Sequence, residues 1–166
     1  MAEFLRARAD HIANLAKARS ITLATVESCT AGTLAHLLSQ TEGASELLHG
    51  GFIVYTKENK IASVGVSAKL LEEHTAVSAE VALAMARGGI DRCPAALVAA
   101  ITGVAGPEPD EDGNPIGLVF VAAASRDGRS KVVRHEFGTL EKDRICGAAM
   151  GAALDLMEEL LLAQVP

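Results

Sequence analysis

The sequence predicts an α/β fold, a three-layer αβα sandwich around a mostly parallel (mixed) sheet with an antiparallel edge hairpin. Three observations carry that expectation. Ala95 to Ile101 is a continuous apolar run after Pro94, the pattern of a central parallel strand covered on both faces. β-branched runs alternate with segments of helical apolar period, as where Ile21 to Val26 precedes Thr33 to Gln40. Further on, Gly117 to Ala124 and Lys131 to Phe137 flank Arg126-Asp127-Gly128-Arg129, whose Asp-Gly pair marks a hairpin turn.

Composition narrows the class. The 166 residues suffice for one domain, 1–166, with a sizeable core. Apolar residues make up 49% of the chain but aromatic ones only 3%, so Ala, Leu, Val and Ile build a core of closely packed helices and sheet. No apolar run approaches the ~20 residues that span a bilayer, and the start, Met1 to Arg6, lacks the pattern of a signal peptide. Three cysteines without a pairing pattern fit reduced thiols in a cytoplasmic protein. The formal net charge of −6 argues against broad nucleic-acid binding.

Residues 2 to 18 place Phe4, Leu5, Ala9, Ile12, Leu15 and Ala16 at helical spacing, an amphipathic helix. After the first strand and second helix, Ser45 is expected to cap a short helix through Leu47 and Leu48. Gly50-Gly51 then releases the chain into a strand, Phe52 to Tyr55, followed by a turn at Thr56 to Lys60 and a short helix ending at Ile61 to Val64. Ser67 caps Ala68 to Glu73, and Ser78 starts a long helix expected to end near Gly88-Gly89. The alternation of Val133, His135 and Phe137 suggests an edge strand. Glu141 to Ala163 closes as a helix whose small residues, Gly147 to Ala153, pack on the same chain's sheet or form a subunit contact.

Three polar segments fall at strand ends: Glu27-Ser28-Cys29-Thr30, Tyr55 to Lys60, and Thr102-Gly103-Val104-Ala105-Gly106-Pro107. A parallel sheet brings such ends to one edge, where open α/β sheets bind ligands. No structural zinc spacing, Walker pattern or GxGxxG is present, so neither metal nor nucleotide cofactor is expected. Ser28 can be a nucleophile if a base takes its proton, and a lysine of depressed pKa can be that base where no histidine adjoins the turns. Ser28 can equally be a helix cap, and Tyr55 a packed strand-end ring. Backbone N–H groups at the helix start would favour an oxyanion or phosphate.

Taken together, Glu27-Ser28-Cys29-Thr30-Ala31-Gly32, Gly51-Phe52-Ile53-Val54-Tyr55 with Lys60 and Gly65-Val66, Val77-Ser78, Thr102 to Pro107, Pro115-Ile116-Gly117 and Asp143-Arg144 resemble the CinA carboxy-terminal domain family. The resemblance runs in order through nearly the whole chain. It implies a nicotinamide-nucleotide amidohydrolase, which converts nicotinamide mononucleotide to nicotinate mononucleotide and ammonia in pyridine nucleotide recycling, without a metal. Ser28 matches the family's nucleophile, and Tyr55 and Lys60 match the Tyr and Lys of its Y-S-N-E-A-K block; Lys57 lies at the wrong spacing from Tyr55. Glu27, Cys29, Thr30, Ala31, Gly32, Thr102, Gly103, Ala105, Gly106 and Arg144 are then expected around the substrate, the helix start and the glycine turn near its phosphate. The resemblance and the small-residue helix suggest a homodimer.

The chain also departs from the family pattern. Ala31 replaces a common Gly, Glu108 to Asp112 form an acidic loop where relatives are glycine-rich, and a second arginine after Arg144 is missing. These changes fall on anion recognition. The longer family members add an amino-terminal domain resembling molybdopterin-binding proteins, for which no room is expected in these 166 residues. Two alternatives stay open: a non-catalytic nucleotide-binding or assembly module, and an amidase for another small amide.

Overall fold

A computed structural model describes residues 1–163. Five strands among these residues form one sheet in the order β2-β1-β3-β4-β5. These are β1 (Leu23–Glu27), β2 (Leu48–Ile53), β3 (Leu97–Gly103), β4 (Leu118–Ser125) and β5 (Ser130–Glu136). β1 pairs parallel with β2 and β3, whereas β4 pairs antiparallel with both β3 and β5. The mixed sheet and its edge hairpin are therefore those the sequence predicts. Burial follows position: β1 is buried throughout, as is β3 up to its last residue, while the edge strand β2 exposes alternate residues and the edge strand β5 exposes Lys131, Arg134 and Glu136.

Among the described residues, seven helices cover the two faces: α1 (Ala2–Ala18), α2 (Thr33–Ser39), α3 (Ala44–Leu47), α4 (Lys57–Val64), α5 (Ala68–His74), α6 (Ala79–Arg92) and α7 (Lys142–Leu162). One core joins α1, α2 and α7 to Leu23, Leu97, Ala99, Ile101, Val119 and Val121. The other joins α4, α5 and α6 to Ala24, Val26, Val98, Ala100 and Ala122. The strand period of two sends alternate side chains to opposite layers, and three layers result.

Several boundaries differ from the sequence-based expectation. Gly50 and Gly51 lie inside β2, because Gly51 sits against Thr25 on β1, where a Cβ would collide. Tyr55 consequently falls beyond the strand. Gly43 in the left-handed region, not Ser45, caps α3. α6 continues through Gly88 and Gly89 to Arg92: Gly88 lies against the Val64 carbonyl of α4, and Gly89 against Val26 and Val98. These glycines let α6 approach α4 and the sheet instead of ending the helix. Ser67 and Ser78 cap α5 and α6 as expected, accepting from the Leu70 and Val81 N–H groups. On α7, a Cβ at Gly147 would meet Met1 and one at Gly151 would meet Leu5, while Ala149 and Ala153 are fully buried; the small-residue stretch packs within the chain.

Candidate active site

The end of β1 is organised by Glu27. Strand alternation puts Thr25 and Glu27 on the layer of α2, and the Glu27 carboxylate is completely buried there. It accepts hydrogen bonds from the Thr25 and Thr30 hydroxyls at 2.9 and 2.7 Å. It also accepts from the N–H groups of Gly32, Leu34 and Ala35 at 3.0, 3.1 and 2.8 Å. Helix starts leave such N–H groups without partners; here a carboxylate from the preceding strand takes them. The turn passes through Ala31 and Gly32, both with positive φ (49° and 92°).

Glu27 thereby sets the position of its neighbour. Ser28 is 7% exposed, and its N–H donates to the Ile101 carbonyl of β3 at 3.0 Å. Lys60 comes from the other side, on α4. The Thr56 hydroxyl caps this helix by accepting from the Asn59 N–H, and the Asn59 side-chain amide donates to the Ile53 carbonyl at 2.7 Å, tying α4 to the end of β2. Lys60 is 1% exposed, with its Nζ 3.0 Å from Ser28 Oγ and 2.9 Å from the Val54 carbonyl oxygen.

No carboxylate pairs with Lys60 among the described residues. Burial is the main cause that lowers its pKa, from 10.5 to about 8; the nearby Lys57 charge adds to the shift, against an opposing effect of Cys29. A substantial neutral fraction near pH 8 gives this amine a lone pair to accept the Ser28 proton. Cys29 is unsuited to be the nucleophile instead, since burial pushes its thiol up to about 12.

Ser28 and Lys60 open onto a cleft of about 440 Å³ at the carboxyl ends of β1, β2 and β3. Cys29, Thr102, Gly103, Ala105 and Gly106, which the sequence reading placed around the substrate, line it, as does Tyr55, which that reading placed in the catalytic set. Thr102 is fully buried and donates its hydroxyl to the Ala76 carbonyl at 2.8 Å. Other expectations need correction. Glu27 and Thr30 do not line the cleft, because their side chains are engaged with each other. Ala31 and Gly32 do not line it either, and their N–H groups donate to the Ser28 carbonyl and to Glu27. The start of α2 is therefore closed to a phosphate. Arg144 lies exposed on the first turn of α7 and does not line the cleft. Tyr55 is 59% exposed and makes no hydrogen bond to Ser28 or Lys60, so it is not in place as their proton relay.

The cleft wall includes residues the sequence reading had not placed there. Ala76 and Val77 enter from the α5–α6 connection; Val77-Ser78 is one of the blocks of the resemblance, but no site role was drawn from it. Lys57 pairs with Glu111 at 2.9 Å and Asp112 at 2.8 Å, drawing the acidic loop toward α4. Hydrogen bonds donated by the ammonium to Asp112 and then Glu111 hold Lys57 well above its ordinary pKa. The charged loop was evident in the sequence; its contact with Lys57, some fifty residues earlier in the chain, was not.

Fold and site together define a mixed α/β protein with a buried serine–lysine pair at the strand ends of its sheet. The CinA C-terminal domain model matches residues 5–161, and the chain belongs to that family. It is 39% identical over 153 residues to a CinA-like protein of Geotalea daltonii, covering 92% of this chain and 37% of that protein. A CinA-like protein of Geobacter sulfurreducens is 39% identical over 151 residues, with coverage of 91% and 36%. The chain thus spans little more than a third of these curated relatives. Among solved structures it resembles the competence/damage inducible protein CihA of Agrobacterium tumefaciens (TM-score 0.91, 31% identity, 94% of each chain covered). It also resembles a competence-damaged protein (CinA) superfamily protein of Escherichia coli (TM-score 0.89, 33% identity, 94% and 90% covered).

Proposed function

We propose that this chain is a serine–lysine amidohydrolase that deamidates the carboxamide of a nicotinamide nucleotide. Nicotinamide mononucleotide, giving nicotinate mononucleotide and ammonia, is the substrate implied by family resemblance. The observation that carries the reading is the 3.0 Å approach of the Lys60 amine to Ser28 Oγ, both buried, with the amine's pKa lowered to about 8.

In this mechanism neutral Lys60 accepts the Ser28 proton as Oγ attacks the carboxamide carbon. The carbonyl oxygen becomes an oxyanion. The N–H of Cys29, which lines the cleft, has no backbone acceptor among the described residues and is the candidate donor to it. Collapse breaks the C–N bond, and the Lys60 ammonium protonates the departing nitrogen, releasing ammonia. The Ser28 ester is then hydrolysed by a water that gives its proton to Lys60. The second tetrahedral intermediate expels Ser28 Oγ, which recovers that proton. The Val54 carbonyl holds the amine in place throughout the cycle. Tyr55, at the mouth, is assigned to substrate contact rather than proton transfer.

Ammonia release from nicotinamide mononucleotide, nicotinamide and simple aliphatic amides tests the reading. Turnover of a nicotinamide compound well above that of the aliphatic amides is the expected result. Release only from aliphatic amides would favour an amidase of different substrate, and release from none would favour a non-catalytic binding module.

A further inference from the structure

We infer that Glu27 is a positioning residue for turnover: its carboxylate holds the Ser28–Gly32 turn in the shape that puts Ser28 Oγ against Lys60 and leaves the Cys29 N–H unpaired at the cleft. The inference rests on the amidohydrolase reading and extends it to a side chain outside the cleft. Glu27 is fully buried, does not line the cleft and makes no bond to Lys60, so it acts only through the turn that follows it.

Most polar groups of this turn are occupied. The Ser28 N–H donates to the Ile101 carbonyl and the Ala31 N–H to the Ser28 carbonyl, each at 3.0 Å. The Thr33 N–H and hydroxyl donate to the Thr30 carbonyl at 3.0 and 2.6 Å. Glu27 then joins the parts. Its Oε2 accepts from the Thr30 hydroxyl and from the Gly32 and Leu34 N–H groups, and its Oε1 from the Thr25 hydroxyl and the Ala35 N–H. Thr25 lies on β1 and Leu34 and Ala35 on α2, so one carboxylate fastens strand, turn and helix together. Ala31 has φ 49°, a conformation unfavourable for a residue with a Cβ. The groups on either side of it, the Thr30 hydroxyl and the Gly32 N–H, are both held by Glu27 Oε2.

Five donors on two oxygens require an acceptor that carries no donor of its own. A glutamine of the same shape turns its NH₂ toward either two or three of these donors, and those bonds are lost. Ser28 and Cys29 follow directly in the chain, so relaxation of the turn moves the nucleophile and the oxyanion donor together. A misplacement of about 1 Å at reacting atoms costs on the order of 100-fold in rate. The rest of the cleft wall comes from α4, the α5–α6 connection and the segment from Thr102 to Asp112, which Glu27 does not touch. The loss should therefore fall on kcat and leave KM nearly unchanged. Lys60 keeps its burial and its bond to Val54, so the pH dependence of the rate should persist.

The test measures kcat, KM and the pH–rate profile for nicotinamide mononucleotide in Glu27→Gln, Thr30→Val and Thr30→Ser, each normalised to the folded fraction from urea denaturation. Glu27→Gln is expected to lower kcat by about 10- to 100-fold, with KM within about threefold of normal and the inflection near pH 8 retained. Thr30→Val removes one of the five donors at nearly constant shape, and should lower kcat by about 3- to 10-fold in the same manner. Thr30→Ser keeps the hydroxyl and should lose less than Thr30→Val. Where Glu27→Gln does not fold, the two Thr30 variants decide. Variants that are less stable yet turn over at the normal kcat make Glu27 a helix anchor alone and overturn the positioning role. A raised KM at unchanged kcat, which marks a substrate contact, or loss of the pH inflection, which marks proton transfer, overturns it as well. Each of these outcomes leaves the amidohydrolase reading intact. Absence of ammonia release by the unaltered protein from any nicotinamide compound overturns that reading, and the positioning role with it.

Discussion

Ser28→Ala is expected to lower ammonia release by at least about 1,000-fold, because the substitution deletes the attacking atom and no neighbour replaces it. Cys29 is adjacent, but its thiol is held protonated with a pKa near 12. The Ser28 side chain hydrogen-bonds only to Lys60 among the described residues, and the amine keeps its bond to the Val54 carbonyl. Folding should therefore change little, by about 1 kcal/mol or less in urea denaturation. Loss of turnover in a protein of near-normal stability separates a nucleophile from a structural cap. Retained turnover would remove Ser28 from the mechanism.

Lys60→Met is expected to lower turnover by about 100- to 10,000-fold, the range over which a positioned general base contributes. Methionine has a similar length and removes the titrating group. In the unaltered protein kcat/KM should rise with pH through an inflection near 8, since only the neutral amine can accept the serine proton. Stability carries a linked signature. The folded-state pKa of about 8 lies below the 10.5 of an unburied lysine, so folding disfavours the protonated form. This penalty is absent above pH 10.5, grows as the pH falls toward 8 and is complete below it. Stability measured across that window should therefore contain a rise with pH that Lys60→Met lacks. A variant with unchanged turnover, or a wild-type rate flat from pH 7 to about 9.5, would exclude Lys60 as the base.

The layered fold was legible because burial on both faces leaves the long apolar run of β3, and because the hairpin turn carries an Asp-Gly pair. Glycines misled where they serve close packing instead of chain reversal. Gly50-Gly51 and Gly88-Gly89 look like breakers in a linear reading, yet each pair lies inside an element that touches another. In the site, Ser28 and Lys60 are 32 residues apart in sequence and meet because two adjacent parallel strands end at the same edge. That meeting follows from parallel topology, which the sequence pattern implied.

The roles of Glu27 and Tyr55 were less accessible. A glutamate beside a serine at a helix start reads equally as a ligand contact or a helix anchor, and only the positions of five donors distinguish the two. Tyr55 shares its segment with Lys60, but β2 ends at Ile53 and leaves the ring exposed while α4 carries the lysine inward. The charge of the cleft depends on tertiary pairing. Lys57 stands in sequence only as a wrongly spaced rival of Lys60, and in the fold it is half of an ion-pair network.

The central claim is covalent acyl transfer to Ser28. Acid-quenched mass spectrometry during turnover of a nicotinamide compound tests it most directly, with digestion to locate any adduct. The serine–lysine mechanism predicts a nicotinoyl ester on the peptide containing Ser28, absent from the Ser28→Ala protein. An acyl adduct on a different residue, together with undiminished ammonia release by Ser28→Ala, would contradict it.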